Sequence, residues 1–155
     1  MNRYNLSKTA LQTIQKNLLP NSVILELGSG EGTKALVDMG YQVYSIEAHE
    51  EWLGKYGSIY VHAPLKEYEF GTWFDVDKIS PVVQMLEYDL LIIDGPRGSE
   101  GRVNFVYFSD LFEPASYLID DTERRGEYAI YKHLEQKLQK KGREYTENGK
   151  SFIWL

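Results

Sequence analysis

The 155-residue chain has no cysteine, which excludes disulfides, thiolate metal sites and a cysteine nucleophile. It has no apolar run near the roughly 20 residues that span a bilayer, and no signal-peptide apolar core at its start. A membrane partner is therefore not expected, and the cytoplasm is the expected location. Basic excess is missing too: 17 Lys and Arg stand against 23 Asp and Glu, for a net charge of -6. Phosphate backbones demand a basic face, so a nucleic-acid partner is not expected. Repeats and low-complexity stretches are absent. Residues 1–155 are expected to form one domain, long enough to bury roughly two-thirds of its unfolded surface.

What is present begins with a glycine turn. Val23-Ile24-Leu25 runs into Glu26-Leu27-Gly28-Ser29-Gly30-Glu31-Gly32, and a helical pattern follows. Strand, glycine turn and helix in that order open a nucleotide-binding α/β unit. The spacing separates two chemistries. The dinucleotide form, G-x-G-x-x-G, sets its third glycine one residue later, where Thr33 stands. Here an acid is followed by glycines at every second position. A second apolar run, Tyr41 to Ile46, ends on Glu47. An acid at that strand tip can accept hydrogen bonds from both ribose hydroxyls. The plainer alternative is a solvated acid at a strand end.

Five apolar runs alternate with helical patterns: Val23 to Leu27, Tyr41 to Ile46, Ser58 to Val61, Tyr88 to Ile93 and Ser116 to Ile119. Continuous apolar character implies burial on both faces, as in a doubly wound, mostly parallel α/β sheet. Leu11, Ile14 and Leu18 space a helix that ends before Pro20. A short helix is expected over Thr33 to Met39, stopped by Gly40. Val103, Tyr107 and Leu111 mark another, halted by Pro114. The longest is expected from about Thr122 to Lys141, with Asp120 and Glu123 as a capping box. Between the third and fourth strands, Lys66 to Gln84 looks irregular, and its Tyr68, Phe70, Trp73 and Phe74 suit either a packed flap or a wall for a planar ligand. Glu144 to Ile153 forms a hairpin about Asn148-Gly149, pairing Tyr145 with Phe152 and Glu147 with Lys150.

Taken together, these elements make the chain resemble a class I S-adenosylmethionine-dependent methyltransferase. The resemblance rests on ELGSGEG at 26 to 32, Ile46-Glu47, Tyr88 to Gly95, Ile119-Asp120-Asp121 and the closing antiparallel hairpin, where a dinucleotide-binding sheet would continue in parallel. It implies S-adenosylmethionine as cofactor and a Rossmann-like sheet. It further implies that Glu26, Gly28, Ser29, Gly30 and Gly32 approach the methionine portion, that Glu47 with Ala48 holds the ribose, and that His62 and Ala63 border the adenine. Asp94 would sit at the lip facing sulfonium and substrate. A narrower stretch, Asp94-Gly95-Pro96-Arg97-Gly98 then Gly101-Arg102, is similar to a pattern in polysaccharide methyltransferases acting on glucuronate side chains of xylan. Asp120-Asp121 is similar to the strand-end ligands of metal-dependent catechol-type methyltransferases, but departs from their usual Asp-Asn pair, and no metal ligand is assigned.

The expected reaction is methylation, with oxygen the expected acceptor atom, of a small molecule or saccharide. A hydroxyl acceptor needs a base, for which Asp94, Asp121 and His62 are candidates and Asp94 the choice. His133 is expected at the surface, and His49 beside the cofactor. Arg97 and Arg102, with Asp121, are the expected substrate contacts, because cations near a helix start call for an anionic partner; pairing of the two arginines with Glu100, Glu113 or Asp110 is the plainer alternative. Two other functions fit less well: an NAD(P)-dependent oxidoreductase, opposed by the glycine spacing, and a cofactor-binding but catalytically idle partner protein.

Overall fold

Glycine, proline and the apolar period divide the chain as the sequence suggests, and the computed structural model describes residues 6–155 of it; the first five residues of the expected 1–155 domain lie outside that description. Helix α1 (Lys8–Asn17) starts where the Ser7 hydroxyl accepts the Ala10 N–H at 3.1 Å. Strand β1 (Val23–Leu27) leads through the glycine loop into α2 (Glu31–Asp38) and then β2 (Gln42–Glu47). Strand β3 (Ile59–His62) follows, then the strands β4 (Leu65–Tyr68) and β5 (Gly71–Phe74), helix α3 (Val76–Met85) and β6 (Leu90–Ile93). The remainder is β7 (Ser116–Asp120), α4 (Arg125–Leu138), β8 (Arg143–Glu147) and β9 (Lys150–Trp154).

Seven strands form one sheet in the order β3-β2-β1-β6-β7-β9-β8, parallel except at β9, which runs antiparallel to both neighbours. Side chains alternate across a strand, so each apolar run feeds two cores. Leu25, Leu27, Leu91, Ile93 and Ile119 face a core closed by Ile79, Phe105, Ile130 and Leu134. Ile24, Leu90, Ile92, Leu118 and Phe152 face the other, closed by Ala10, Ile14 and Leu36. Burial on both faces is the reason the strands lack polar alternation. No helix among the described residues is long and apolar enough to cross a membrane.

Three expectations are corrected. The segment 65–74 is a regular antiparallel hairpin, β4–β5, and Trp73 is fully buried. Where an α-helix was expected over 103–111, the chain forms short 3-10 turns at Arg102–Tyr107 and Ser109–Leu111. Their buried positions are Arg102 and Phe105, three apart as that geometry favours, then Ser109, with Phe112 buried just beyond. Val103 and Tyr107, the expected inner face, are exposed, Tyr107 by 61%. Finally, α4 begins at Arg125 with no side-chain cap. Asp120 belongs to β7 and meets Lys150, and Glu123 accepts the Ser151 N–H at 3.2 Å.

The closing hairpin turns on Asn148 and Gly149, both at positive φ. Tyr145 stacks on Phe152 with centroids 4.9 Å apart. Glu147 and Lys150 are register partners, but their charges reach elsewhere. Glu147 accepts the Thr9 hydroxyl at 2.6 Å, and the Lys150 ammonium lies 3.2 Å from Asp120.

Candidate functional site

Parallel strands end together, so the loops leaving β1, β2, β6 and β7 meet at one edge of the sheet. They enclose a cleft of ≈ 290 Å³. Gly28, Ser29, Glu47, Ala48, His49 and Trp52 line one side. Asp94, Arg97, Glu100, Arg102, Asp121 and Arg124 line the other. His49 and Glu100 join the two sides: the His49 Nε2 lies 2.8 Å and 3.1 Å from the two Glu100 carboxylate oxygens.

The glycines have different tasks. Gly28 has φ +88°, and a Cβ there would stand 2.9 Å from the Asp94 carbonyl oxygen. Its bareness lets the β1 loop lie directly against the β6 loop. Gly30 is the N-cap residue of α2, its N–H donated to the Thr33 hydroxyl at 3.0 Å. Gly32 makes room for the N-terminal segment, since a Cβ would meet the Leu6 side chain at 3.0 Å. Gly28 and Ser29 line the cleft; Gly30 and Gly32 shape the loop from beneath.

Two acids hold that loop. Glu47 is buried, and among the described residues its carboxylate accepts four hydrogen bonds. The Ser29 N–H and hydroxyl reach Oε2 at 3.0 and 2.9 Å, while the Ala48 and His49 N–H groups reach Oε1 at 3.0 and 3.2 Å. Glu26 lies deeper, outside the cleft lining. Its Oε1 accepts hydroxyls from Thr33 at 2.5 Å and Ser45 at 2.6 Å. Burial pushes the Glu26 carboxyl up to about 7, against the pull of those two hydroxyls.

That shift has a measurable sign. The folded state favours protonated Glu26, so its contribution is unpenalised below about 4.5, is lost as pH rises toward 7, and stays lost above. Glu26→Gln keeps an acceptor for both hydroxyls and removes the buried charge. We expect the variant to exceed the parent at pH 8 by about 1–3 kcal/mol, and by much less at pH 5, in denaturant unfolding. Parallel pH profiles for the two proteins would refute the assignment.

His62 and Ala63 lie behind the cleft wall. The His62 ring sits 3.1 Å from the Ala48 carbonyl oxygen, and Ala63 is fully buried in the core. Of the two readings of the aromatic segment, the packed flap describes it better: Phe70 stacks on Tyr107 at 4.0 Å, and only Phe74 of that segment reaches the cleft. Trp52 stands on the cleft wall instead, stacked with Tyr56 at 6.0 Å and under the Lys55 ammonium at 4.6 Å.

The acidic side is a buried charge network. Asp94, Asp120 and Asp121 each offer a carboxylate oxygen, all within 4.8 Å of one another. Arg102, only 5% exposed, donates from Nη1 to Asp121 at 2.8 Å and from Nε to the Pro96 carbonyl at 2.9 Å. Its Nη2 lies 3.8 Å from Asp94. From the other side, Lys150 approaches Asp120 at 3.2 Å and Asp121 at 3.7 Å. Burial raises the Asp94 carboxyl well above the usual range, and the Asp120 charge adds to it, while Arg102 opposes. Burial and Asp121 likewise raise Asp120, against Lys150. Asp94 is thus a carboxyl with elevated proton affinity at a cleft wall. The three acids have the oxygen chemistry of a hard-cation site, but Arg102 and Lys150 already supply positive charge to them.

The expected substrate contacts Arg97, Arg102 and Asp121 all line the cleft, with Arg102 buried and hydrogen-bonded to Asp121. Arg124 and Trp52 were not singled out from the sequence, whereas Glu100, named there as a partner for the loop arginines, stands 4.0 Å from Arg97. Arg124 did carry a signal: it follows Asp121 by three residues, as Arg97 follows Asp94.

Known proteins resemble the chain in structure only. No protein-family model and no curated protein matches its sequence. Among solved structures, a TehB-like SAM-dependent methyltransferase from Corynebacterium glutamicum matches with TM-score 0.55 and 11% identity, over 92% of this chain and 83% of that one. The E. cuniculi Mtq2–Trm112 complex, which methylates the translation termination factor eRF1, gives TM-score 0.58 and 12% identity, over 99% and 96%. A Burkholderia thailandensis 1,6-didemethyltoxoflavin-N1-methyltransferase, bound to its substrate and S-adenosylhomocysteine, gives 0.52 and 12%, over 95% and 75%. The chain has the Rossmann-like fold of these methyltransferases. Their acceptors range from a protein to a small heterocycle, so the fold leaves the acceptor open.

Proposed function

We propose that this fold serves S-adenosylmethionine-dependent methylation of a hydroxyl on a small-molecule or saccharide acceptor bearing an anionic group, carried out by one domain spanning 1–155. One observation carries the reading. A single cleft over the strand ends runs from the Glu47 carboxylate, beside the bare Gly28 backbone, to the elevated Asp94 carboxyl.

The residues present fit the cofactor. Glu47 would hold the ribose hydroxyls once Ser29 yields its place on Oε2. Ala48, His49 and the Trp52 ring would border the base, and Gly28 and Ser29 the amino-acid end. When bound, the cofactor supplies a methyl group already activated on a sulfonium. Asp94 takes the proton from the acceptor hydroxyl, and its raised proton affinity makes it a stronger base for that task than an ordinary carboxylate. Arg102 and Lys150 hold the neighbouring carboxylates in place, and their positive charge favours the ionised form of Asp94 that can accept the proton.

Calorimetry and thermal melts test the reading. S-adenosylmethionine or S-adenosylhomocysteine should bind with micromolar affinity, about -8 kcal/mol, and raise the melting temperature. NADH should do neither. Binding of NADH with no response to either adenosyl ligand would replace methyl transfer by the oxidoreductase reading.

A further inference from the structure

The cleft contains two half-exposed cations whose ion pairs within the fold are long, at 4.0 and 3.6 Å. Arg97, on the loop after β6, and Arg124, on the loop after β7, both line it, with side chains 51% and 55% exposed. Each stands three residues beyond a strand-end aspartate, Asp94 and Asp121. Among the described residues neither guanidinium makes a hydrogen bond. Arg97 lies 4.0 Å from Glu100, whose carboxylate is already engaged by His49 at 2.8 Å. Arg124 lies 3.6 Å from the Asp121 Oδ2, which Arg102 already occupies at 2.8 Å. Stability does not explain Arg124 either. It is the N-cap residue of α4, where the helix field opposes a cation and where it makes no capping bond.

Resting on the methyltransferase reading above, we infer that Arg97 and Arg124 form a two-armed subsite that grips a carboxylate or phosphate of the acceptor and so presents a nearby hydroxyl to Asp94. A guanidinium offers a planar fork of donors matched to either group. Two forks arriving from separate loops fix the anion in orientation as well as position. Arg102 takes no part, because it is buried and its Nε and Nη1 are tied to Pro96 and Asp121. Selectivity follows: a neutral sugar of the same shape leaves both arms facing water and gains nothing from them.

The test uses inorganic phosphate, D-glucuronate and D-glucose 6-phosphate as probes, with D-glucose as the neutral control. Each is titrated by calorimetry into the full chain, with and without saturating S-adenosylhomocysteine. At least one anion should bind in the millimolar range or tighter, and glucose should not. Arg97→Ala and Arg124→Ala should each weaken that anion about tenfold, with Arg97→Lys partly restoring it. The double variant should lose less than the product of the two, since both arms hold one group. Affinity for S-adenosylhomocysteine should stay within about twofold in every variant, which shows that the cleft is intact. Phosphate binding without glucuronate binding assigns a phosphorylated acceptor, and the reverse assigns a uronate. Absence of anion binding, equal binding of glucose, or binding indifferent to both arginines overturns the subsite. Failure of S-adenosylhomocysteine to bind, with arginine-dependent anion binding retained, removes the cofactor reading and leaves the subsite standing.

Discussion

Asp94→Asn is expected to lower turnover by about 10²–10⁴-fold while changing cofactor affinity far less. The amide keeps the size of the side chain and loses the proton-accepting oxygen. Its neighbours would survive the change: Arg102 remains hydrogen-bonded to Asp121, and Lys150 remains beside Asp120. Deleting one acid from a crowded, buried group also relieves Asp120, so the variant should be no less stable than the parent. In the parent, activity should rise with pH through a carboxyl limb displaced above the ordinary carboxylate range, and that limb belongs to the coupled pair Asp94 and Asp120. The measurement is turnover on the acceptor found by the anion titrations, with and without magnesium. Full turnover in Asp94→Asn would dismiss the base assignment. Activity lost to a chelator and restored by magnesium would instead make Asp94, Asp120 and Asp121 metal ligands.

Glu47→Ala should weaken cofactor binding by roughly 10- to 100-fold, since charge-assisted hydrogen bonds contribute on the order of 1.5–3 kcal/mol each before water replaces part of them. The structure adds a second route to the same loss. Glu47 restrains the glycine loop through the Ser29 N–H and hydroxyl, and the following turn through Ala48 and His49. Alanine frees all of them, so a lower melting temperature should accompany the weaker binding. Ser29→Ala separates the two contributions. It removes only the hydroxyl that competes with a ribose for Oε2, and should leave affinity equal or tighter. An unchanged affinity in Glu47→Ala would move the ribose to another part of the cleft.

The strands were legible because burial on both faces writes itself as unbroken apolar runs, and the glycine loop because a turn against another backbone admits no side chain. The antiparallel ending was legible from Asn148-Gly149. Other features were hidden for a common reason: their residues are charged, and a charge in sequence is read as solvated. Arg102 occupies an inward position of a 3-10 turn, so the apolar residues around it, Val103 and Tyr107, suggested the wrong face. Its partners, Asp121 and Glu127, come from elements far along the chain. Lys150 was assigned to its register neighbour Glu147, but cross-strand proximity does not fix where a long side chain ends. Hidden for a different reason is the contact of Gly32 with Leu6, which brings together residues on opposite sides of β1 in the chain.

The position of Lys150 also bears on the order in which the molecule comes into being. β9 fills the slot between β7 and β8, so the ribosome makes β7 well before the strand that covers its edge. Until β9 arrives, a nascent chain carries an open strand edge beside two crowded aspartates, Asp120 and Asp121, with Lys150 not yet in place. Edge closure and charge balance then come together, in one docking step once β9 has emerged. Chains halted before residue 150 should accordingly be both inactive and prone to associate through β7.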